Sequence, residues 1–317
     1  MLIVDEEPPV TWLLPVRNGM PHLPQALASV EAQAWSNQCI LVRDNGSTDG
    51  SSAELRRWIP SRIRGAILTG GPLNLGESCA QLVEEARTEY CARIDADDVA
   101  RRDRLQRQVE FLERHPEVVA VGSRVRAIDE HGRAHSGHGW NLNYYEKDGD
   151  IVHDLLVRAA QRHPTLLMRR SAVLAAGNYG PYGRSEDYEL QLRLAQVGRL
   201  ANLPEPLLDY RFHPGSFSQA MPDRDRYAYE VRAVLFAKAG AVLYGVDEAV
   251  LLRLKRREHP FALPALLTIA RHLERRERIG LMQRVLSRSF LEAVRHLLAD
   301  RDVVSRAVLG LLRRLRA

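Results

Sequence analysis

The residues best suited to chemistry lie in one short stretch, Ile94-Asp95-Ala96-Asp97-Asp98, which follows an apolar run and precedes a basic helical segment. Three carboxylates within four residues repel one another, and burying them unpaired would cost several kcal/mol each. A divalent cation bound through oxygen is the natural counter-charge. Carboxylates at i and i+2 leaving a strand end can turn toward one ion. The competing account is a solvated acidic turn that caps the helix starting near Arg101, since Asp is a favoured N-cap.

The surrounding pattern decides between them. Val10 to Val16 reads as a buried strand, and the apolar residues Leu23, Ala26, Leu27, Val30 and Ala34 follow with helical period. Gln38 to Val42 is a second strand, closed by the turn formers Arg43 to Gly50, and Ala53 to Trp58 is helical. Gly65 to Leu68, Leu75 to Arg87 and Tyr90 to Ile94 continue as strand, helix, strand. Such alternation predicts an α/β fold whose sheet is mostly parallel, with right-handed crossovers. Ligands bind such sheets beyond the carboxyl ends of the strands. Pro15 to Asn18, Asp44-Asn45 and Asp95 to Asp98 all fall at those ends. Three polar clusters converging on one rim exceed what a helix cap requires.

Further along, the spacing predicts a helix over Arg104 to His115, a strand over Val118 to Ile128 and a loop over Ala134 to Gly149. Helix is expected over Ile151 to Ala160, a strand entry at His163 to Met168, and a short helix over Ala172 to Ala176. The last elements of this part are a helix over Tyr188 to Val197 and a strand over Leu207 to Phe212. Beyond about residue 220 the pattern is helical throughout.

Together the clusters suit a nucleoside diphosphate ligand whose diphosphate is bridged to carboxylate by a cation. Asp44 can accept hydrogen bonds from a base or ribose, and Arg17, Arg43 or Arg93 can contact phosphate. The first strand is followed by neither a Walker loop nor a GxGxxG turn, which argues against NTPase and dinucleotide-binding chemistry.

The motifs, in order, are Pro15-Val16-Arg17-Asn18, Arg43 to Asp49, Asn74-Leu75-Gly76, Ala92 to Asp98, Asp103 to Gln106, Val121-Gly122-Ser123, His163-Pro164-Thr165, Ser185 to Leu190 and Tyr210 to Ser216. Their order and spacing over roughly residues 8 to 220 resemble the inverting family 2 glycosyltransferases of the GT-A fold. The resemblance implies a catalytic domain over 1–220, followed by a helical region over 221–317. It implies that Asp44, with Pro15 and Arg17 beside it, contacts the donor base, and that Arg93 and Asp95 complete the nucleotide site. Asp97 is then the ligand for Mn2+ or Mg2+, with His213 a further ligand or phosphate contact. Asp187 is the general base, and Asp98, His163 and Glu186 are candidates for the sugar or acceptor. The donor would be a UDP, dTDP or GDP sugar, and the acceptor a saccharide or lipid-linked saccharide in surface polysaccharide or glycolipid assembly. A sugar-phosphate nucleotidyltransferase and a catalytically dead carbohydrate-binding scaffold are the alternatives. The first would want a Gly- and Lys/Arg-rich loop where only Arg17-Asn18-Gly19 stands.

Net charge is +5 over 317 residues, unevenly placed. From Leu251 to Ala317 there are 16 Lys or Arg against 6 Asp or Glu, so the rest of the chain is net acidic. Val303, Val304, Ala307, Val308, Leu311, Leu312 and Leu315 form one helical stripe, with arginines on the other side. Such a helix packs on the catalytic domain or lies peripherally on an anionic membrane. Nucleic-acid binding is not expected, because the basic residues lack interleaved aromatics. Cys39, Cys79 and Cys91 have no metal-like spacing and form no disulfide framework. With no secretory signal and no apolar run near ~20 residues, the expected location is cytoplasmic, with association at the inner membrane face through the basic tail.

Overall fold

The structure, a computed structural model, describes residues 7–135, 159–180 and 185–216, with short stretches between 151 and 155 and between 234 and 252. Its contacts divide the chain into two compact units, residues 1–151 with 160–222, and residues 152–159 with 223–317. In the second unit the described residues include helical turns at 237–242. The stripe over 303–315, most of the region 221–317, residues 136–149 of the expected loop and half of the helix expected over 151–160 lie outside the described residues. No helix among the described residues is long and apolar enough to cross a membrane.

The first unit is built on one eight-stranded mixed sheet. Strands β1 (Val10–Val16), β2 (Gln38–Asp44), β3 (Gly65–Leu68) and β4 (Tyr90–Arg93) are joined by helices α1 (Leu23–Glu31), α2 (Ser51–Trp58) and α3 (Leu75–Glu85). These strands pair in parallel in the order β3-β2-β1-β4. Every residue of β1 and of β4 is buried. A strand covered on both faces reads as a continuous apolar run, and this is why β1 was legible as a run with no alternation. Helix α1 turns Leu23, Ala26, Leu27 and Val30 inward. Asn74 and Glu77 close a reciprocal capping box at the start of α3, which satisfies two of its otherwise orphaned amides.

The second half of the sheet departs from the parallel expectation. After β5 (Val99–Ala100) come α4 (Arg104–Arg114), β6 (Val118–Ile128), a 3-10 turn (His163–Thr165), β7 (Leu167–Arg169), α5 (Arg170–Ala175), α6 (Glu186–Val197) and β8 (Arg199–Arg211). Strand β7 pairs antiparallel with both β4 and β6, while β8 runs parallel to β6 and antiparallel to β5. The expected strand entry at His163 is thus a 3-10 turn, with only Leu167–Arg169 extended. The strand expected from Leu207 begins eight residues earlier. Pro204 and Pro206 hide it in the sequence, because proline normally excludes a strand interior. They are accommodated where the β6–β8 register shifts near Ser123 and Arg124.

The polar side chains buried in this sheet are specific joints. Gln108 of α4 donates to the Val121 and Thr165 carbonyls at 3.0 and 2.8 Å and accepts from Arg104 Nε at 3.0 Å. The β2–β3 seam depends on a glycine instead. A Cβ at Gly65 would lie 1.9 Å from the Ile40 carbonyl oxygen, which is backbone and cannot swing away. Gly65→Ala is therefore expected to force the two strands apart and lower stability by roughly 1–3 kcal/mol, read as a reduced urea midpoint. An unchanged midpoint would contradict this packing.

Candidate functional site

The acidic stretch leaves the carboxyl end of β4. One carboxylate oxygen from each of Asp95, Asp97 and Asp98 lies within 4.8 Å of the others. Each acid is held differently. Arg93, whose side chain is 0% exposed, donates Nη2 to Asp95 Oδ1 at 2.6 Å and Nη1 to the Ile94 carbonyl. Asp97 Oδ2 lies 2.9 Å from His213 Nε2. Asp98 is 1% exposed, and its Oδ1 accepts the Arg211 amide at 2.9 Å, while its Oδ2 has no hydrogen-bond partner among the described residues. Burial, and then the charges of Asp97 and Asp95, push the Asp98 carboxyl well above the ordinary range.

Arg211 is the joint that closes this cluster. Its guanidinium donates to the backbone carbonyls of Asp97 (2.8 Å), Asp129 (3.0 Å) and Glu130 (3.2 Å) and to Gln25 Oε1 (2.6 Å). One side chain at the end of β8 thereby ties the acidic turn to α1 and to the turn after β6. Beyond it, the His22 ring meets the His213 ring edge-on, with centroids 4.8 Å apart. A third buried cation, Arg104, donates Nη2 to the carbonyls of Arg93 (2.8 Å) and Leu166 (3.3 Å). Burial lowers its pKa to about 9.

A second rim is made by the ends of β1 and β2, where Pro15 faces Arg43 and Val16 faces Asp44 in register. Asp44 accepts the Ser47 amide at 3.0 Å and the Ser52 hydroxyl. Burial alone would raise its pKa, but those hydrogen bonds outweigh burial and hold it below the ordinary value. The two loops are cross-bonded. Asn18 N donates to Ser47 Oγ (3.0 Å), Thr48 N to Asn18 Oδ1 (2.8 Å), Gly19 N to Ser51 Oγ (2.8 Å) and Met20 N to Asp49 Oδ2 (2.8 Å). Arg17 is exposed beside them.

The third cluster lies at the start of α6. Glu186 is 4% exposed, and its Oε1 sits 3.5 Å from His163 Nδ1. His163 Nε2 lies 2.8 Å from the Tyr179 hydroxyl. Burial, then the nearby Arg93 charge, lowers the His163 pKa to about 4, so its ring is neutral at pH 7. The partly exposed Asp187 carboxyl is raised from its ordinary value by burial and then by the charge of Glu186, with the Tyr188 amide opposing.

Of the residues singled out in the sequence, Pro15, Arg17 and Asp44 lie on one rim, Asp95, Asp97, Asp98 and His213 on another, and His163, Glu186 and Asp187 at the start of α6. Arg93 differs from expectation. Its guanidinium is sealed and tied to Asp95, so it reaches the site only through that acid. Asp98, His163 and Glu186 are likewise buried against protein groups rather than open to a sugar. Arg211, His22 and Tyr179 carry contacts that the sequence reading did not assign. A buried-strand position occupied by arginine, two residues before His213, was the available signal for the first.

Arg211→Met is expected to leave the Asp97 and Glu130 carbonyls and the Gln25 amide oxygen without their Arg211 donor, while the Asp129 carbonyl keeps the Gly132 amide, at a cost of roughly 2–4 kcal/mol in total. Urea unfolding checks this, and a loss below half a kcal/mol would refute the joint.

The family model for glycosyl transferase family 2 matches residues 11–173. Among curated proteins, the chain is 28% identical over 193 residues to the amylovoran biosynthesis glycosyltransferase AmsE of Erwinia amylovora, covering 60% of this chain and 70% of that one. It is 27% identical over 194 residues to the O-antigen biosynthesis glycosyltransferase WbnJ of Escherichia coli, covering 59% and 73%. Among solved structures, residues 1–349 of S. aureus TarS in complex with UDP-GlcNAc superpose with a TM-score of 0.64 at 13% identity, covering 96% of this chain and 85% of that one. The mannosyltransferase PcManGT of Pyrobaculum calidifontis, in complex with GDP-Man and Mn2+, superposes with a TM-score of 0.54 at 17% identity, covering 97% and 87%. Both share the GT-A fold.

Proposed function

The chain belongs to glycosyl transferase family 2, and we propose that it moves a sugar, with inversion, from a nucleoside diphosphate-sugar to the hydroxyl of a saccharide or lipid-linked saccharide in surface-polysaccharide or glycolipid assembly. We assign this to residues 1–220. One observation carries the reading. A tight acidic cluster stands at the β4 end of the rim, and a partly exposed carboxyl of raised pKa stands at the start of α6.

Asp44, kept ionised by its hydrogen bonds, accepts from the donor base, with Pro15 and Arg17 flanking it. Asp95, held by Arg93, faces the ribose. The donor set fits a hard divalent cation: clustered carboxylate oxygens, one of them buried without a partner, and an imidazole beside them. Bound through Asp97 and His213, Mn2+ or Mg2+ would neutralise charge developing on the diphosphate leaving group. Asp187 takes the proton from the acceptor hydroxyl. The acceptor oxygen forms its bond to the anomeric carbon as the bond to the diphosphate oxygen breaks, and the nucleoside diphosphate leaves with that electron pair. The polysaccharide context follows the names of AmsE and WbnJ.

A thermal-shift screen of UDP, dTDP and GDP with and without Mn2+ is expected to show one metal-dependent stabilisation. Asp97→Asn is expected to remove that metal dependence. Asp187→Asn should keep it while lowering transfer roughly 10²–10⁴-fold. Transfer that survives both changes would overturn the assignment.

The raised pKa of Asp187 also fixes a pH dependence. Transfer requires its carboxylate, so the rate is full above that pKa and lost as pH falls through it. Glu186→Gln removes the negative neighbour that helps raise it. The acid limb of kcat against pH is therefore expected to move to lower pH in this variant, and a limb that stays or rises would show that Glu186 does not set it.

A further inference from the structure

The His163 cluster links two parts of the molecule that the transfer reaction must keep in register. The segment carrying His163 is bonded to β4 through the backbone, because the Arg93 amide donates to the Leu166 carbonyl at 2.8 Å. Buried Arg104 clamps the same pair of residues by donating to both carbonyls. β4 is the strand that delivers Asp95. From this fixed base the His163 side chain reaches the other way, to Glu186, the first residue of α6 and the neighbour of Asp187. His163 Nδ1 faces Glu186 Oε1 at 3.5 Å, a long polar contact, and in the tautomer that turns the ring proton toward that oxygen, Nε2 accepts from the Tyr179 hydroxyl at 2.8 Å. Three polar side chains buried together at this place are a costly way to fill a core that apolar residues could fill.

We propose that His163 is a positioning residue: a neutral imidazole, braced by Tyr179, that holds Glu186 and with it the first turn of α6, so that Asp187 faces the donor anchored at Asp95. The proposal rests on the reading of Asp187 as the base. It assigns His163 no contact with sugar or acceptor.

The test compares full-length His163→Ala, His163→Asn and His163→Gln with the native chain. The donor is the one whose nucleotide gives the Mn2+-dependent shift in the UDP, dTDP and GDP screen, and turnover is read as nucleoside diphosphate release. In His163→Ala the nucleotide–Mn2+ shift and the donor KM are expected to stay within about 3-fold of native. Its kcat is expected to fall on the order of 10–100-fold, the usual penalty of a slightly misplaced catalytic group. Asparagine can present an N–H where Nδ1–H stood, whereas glutamine can replace only the Tyr179 side. His163→Asn should therefore recover most of kcat and His163→Gln little of it.

Unchanged kcat in His163→Ala, or equal recovery by both amides, would overturn the proposal. So would a kcat loss matched by loss of the nucleotide–Mn2+ shift, the mark of a merely structural role. If His163→Ala does not fold, Tyr179→Phe replaces it, with kcat expected to fall several-fold at constant donor KM; no fall would overturn the proposal. Asp187→Asn separates the two readings. Turnover surviving in it sinks the base assignment, whereas its loss beside normal His163→Ala turnover sinks only the positioning role.

Discussion

Three carboxylates that approach within 4.8 Å of one another are the constraint around which this sheet is built. At that distance two full charges repel by several kcal/mol, roughly 3–4 at the effective dielectric of a protein surface. Three buried arginines surround them, yet only Arg93 spends a donor on a carboxylate of the triplet. Arg211 and Arg104 give most of theirs to backbone carbonyls and amide oxygens. The arginines thus fix where the acidic turn runs without cancelling its charge. Part of the remaining repulsion is relieved by Asp98, whose carboxyl is driven toward its protonated form. The rest is what a divalent cation would relieve, and a site fully paired with arginine would have no such use for one.

Environment also pushes two other carboxyls in opposite directions. Asp44 and Asp187 are both aspartates near the ends of sheet or helix elements. Hydrogen bonds from Ser52 and Ser47 overcome burial and keep Asp44 anionic, as an acceptor of hydrogen bonds should be. Asp187 accepts the Tyr188 amide at 2.8 Å, but this does not outweigh burial and the charge of Glu186, so its affinity for a proton rises. One side-chain chemistry is pushed in opposite directions because the donors around Asp44 outweigh burial, whereas Asp187 meets a single amide and a second acid.

Much of this was legible in the chain before any coordinates. β1, β2 and β4 announce themselves as buried apolar runs, and the helices between them by their 3-4 spacing. The acidic triplet and the turn after Asp44 stand out because their residue types are wrong for a core. What escaped was governed by burial rather than by type. Arg93 and Glu186 read as groups that touch ligand, since a charged residue is seldom sealed inside a protein. Arg93 is sealed against Asp95, two residues on, and against the Ile94 carbonyl, while Glu186 is sealed beside His163, which comes from another segment. Strand β8 was seen only in its last third, because Pro204 and Pro206 are signals against a strand and the bulge that admits them is a tertiary feature. β5, two residues long, offers no period to detect.

The difference between the two rims follows from how far apart in the chain their parts lie. The rim at Asp44 is made by two loops some 30 residues apart and cross-bonded by short side chains, so a single β-α-β unit suffices to form it. The acidic rim is different: Asp97 and Asp98 are fixed by Arg211 and His213, more than 110 residues later, which arrive only when β8 has paired with β6 and with β5. The antiparallel Val99–Asp209 pairing sets the approach, since β5 begins directly after Asp98 and Arg211 lies two residues past Asp209. A strand of two residues is therefore worth more to the site than to the core. It pins the acidic turn to the strand that supplies its holders, and any slip of β8 along β6 would carry Arg211 and His213 away from the acids together.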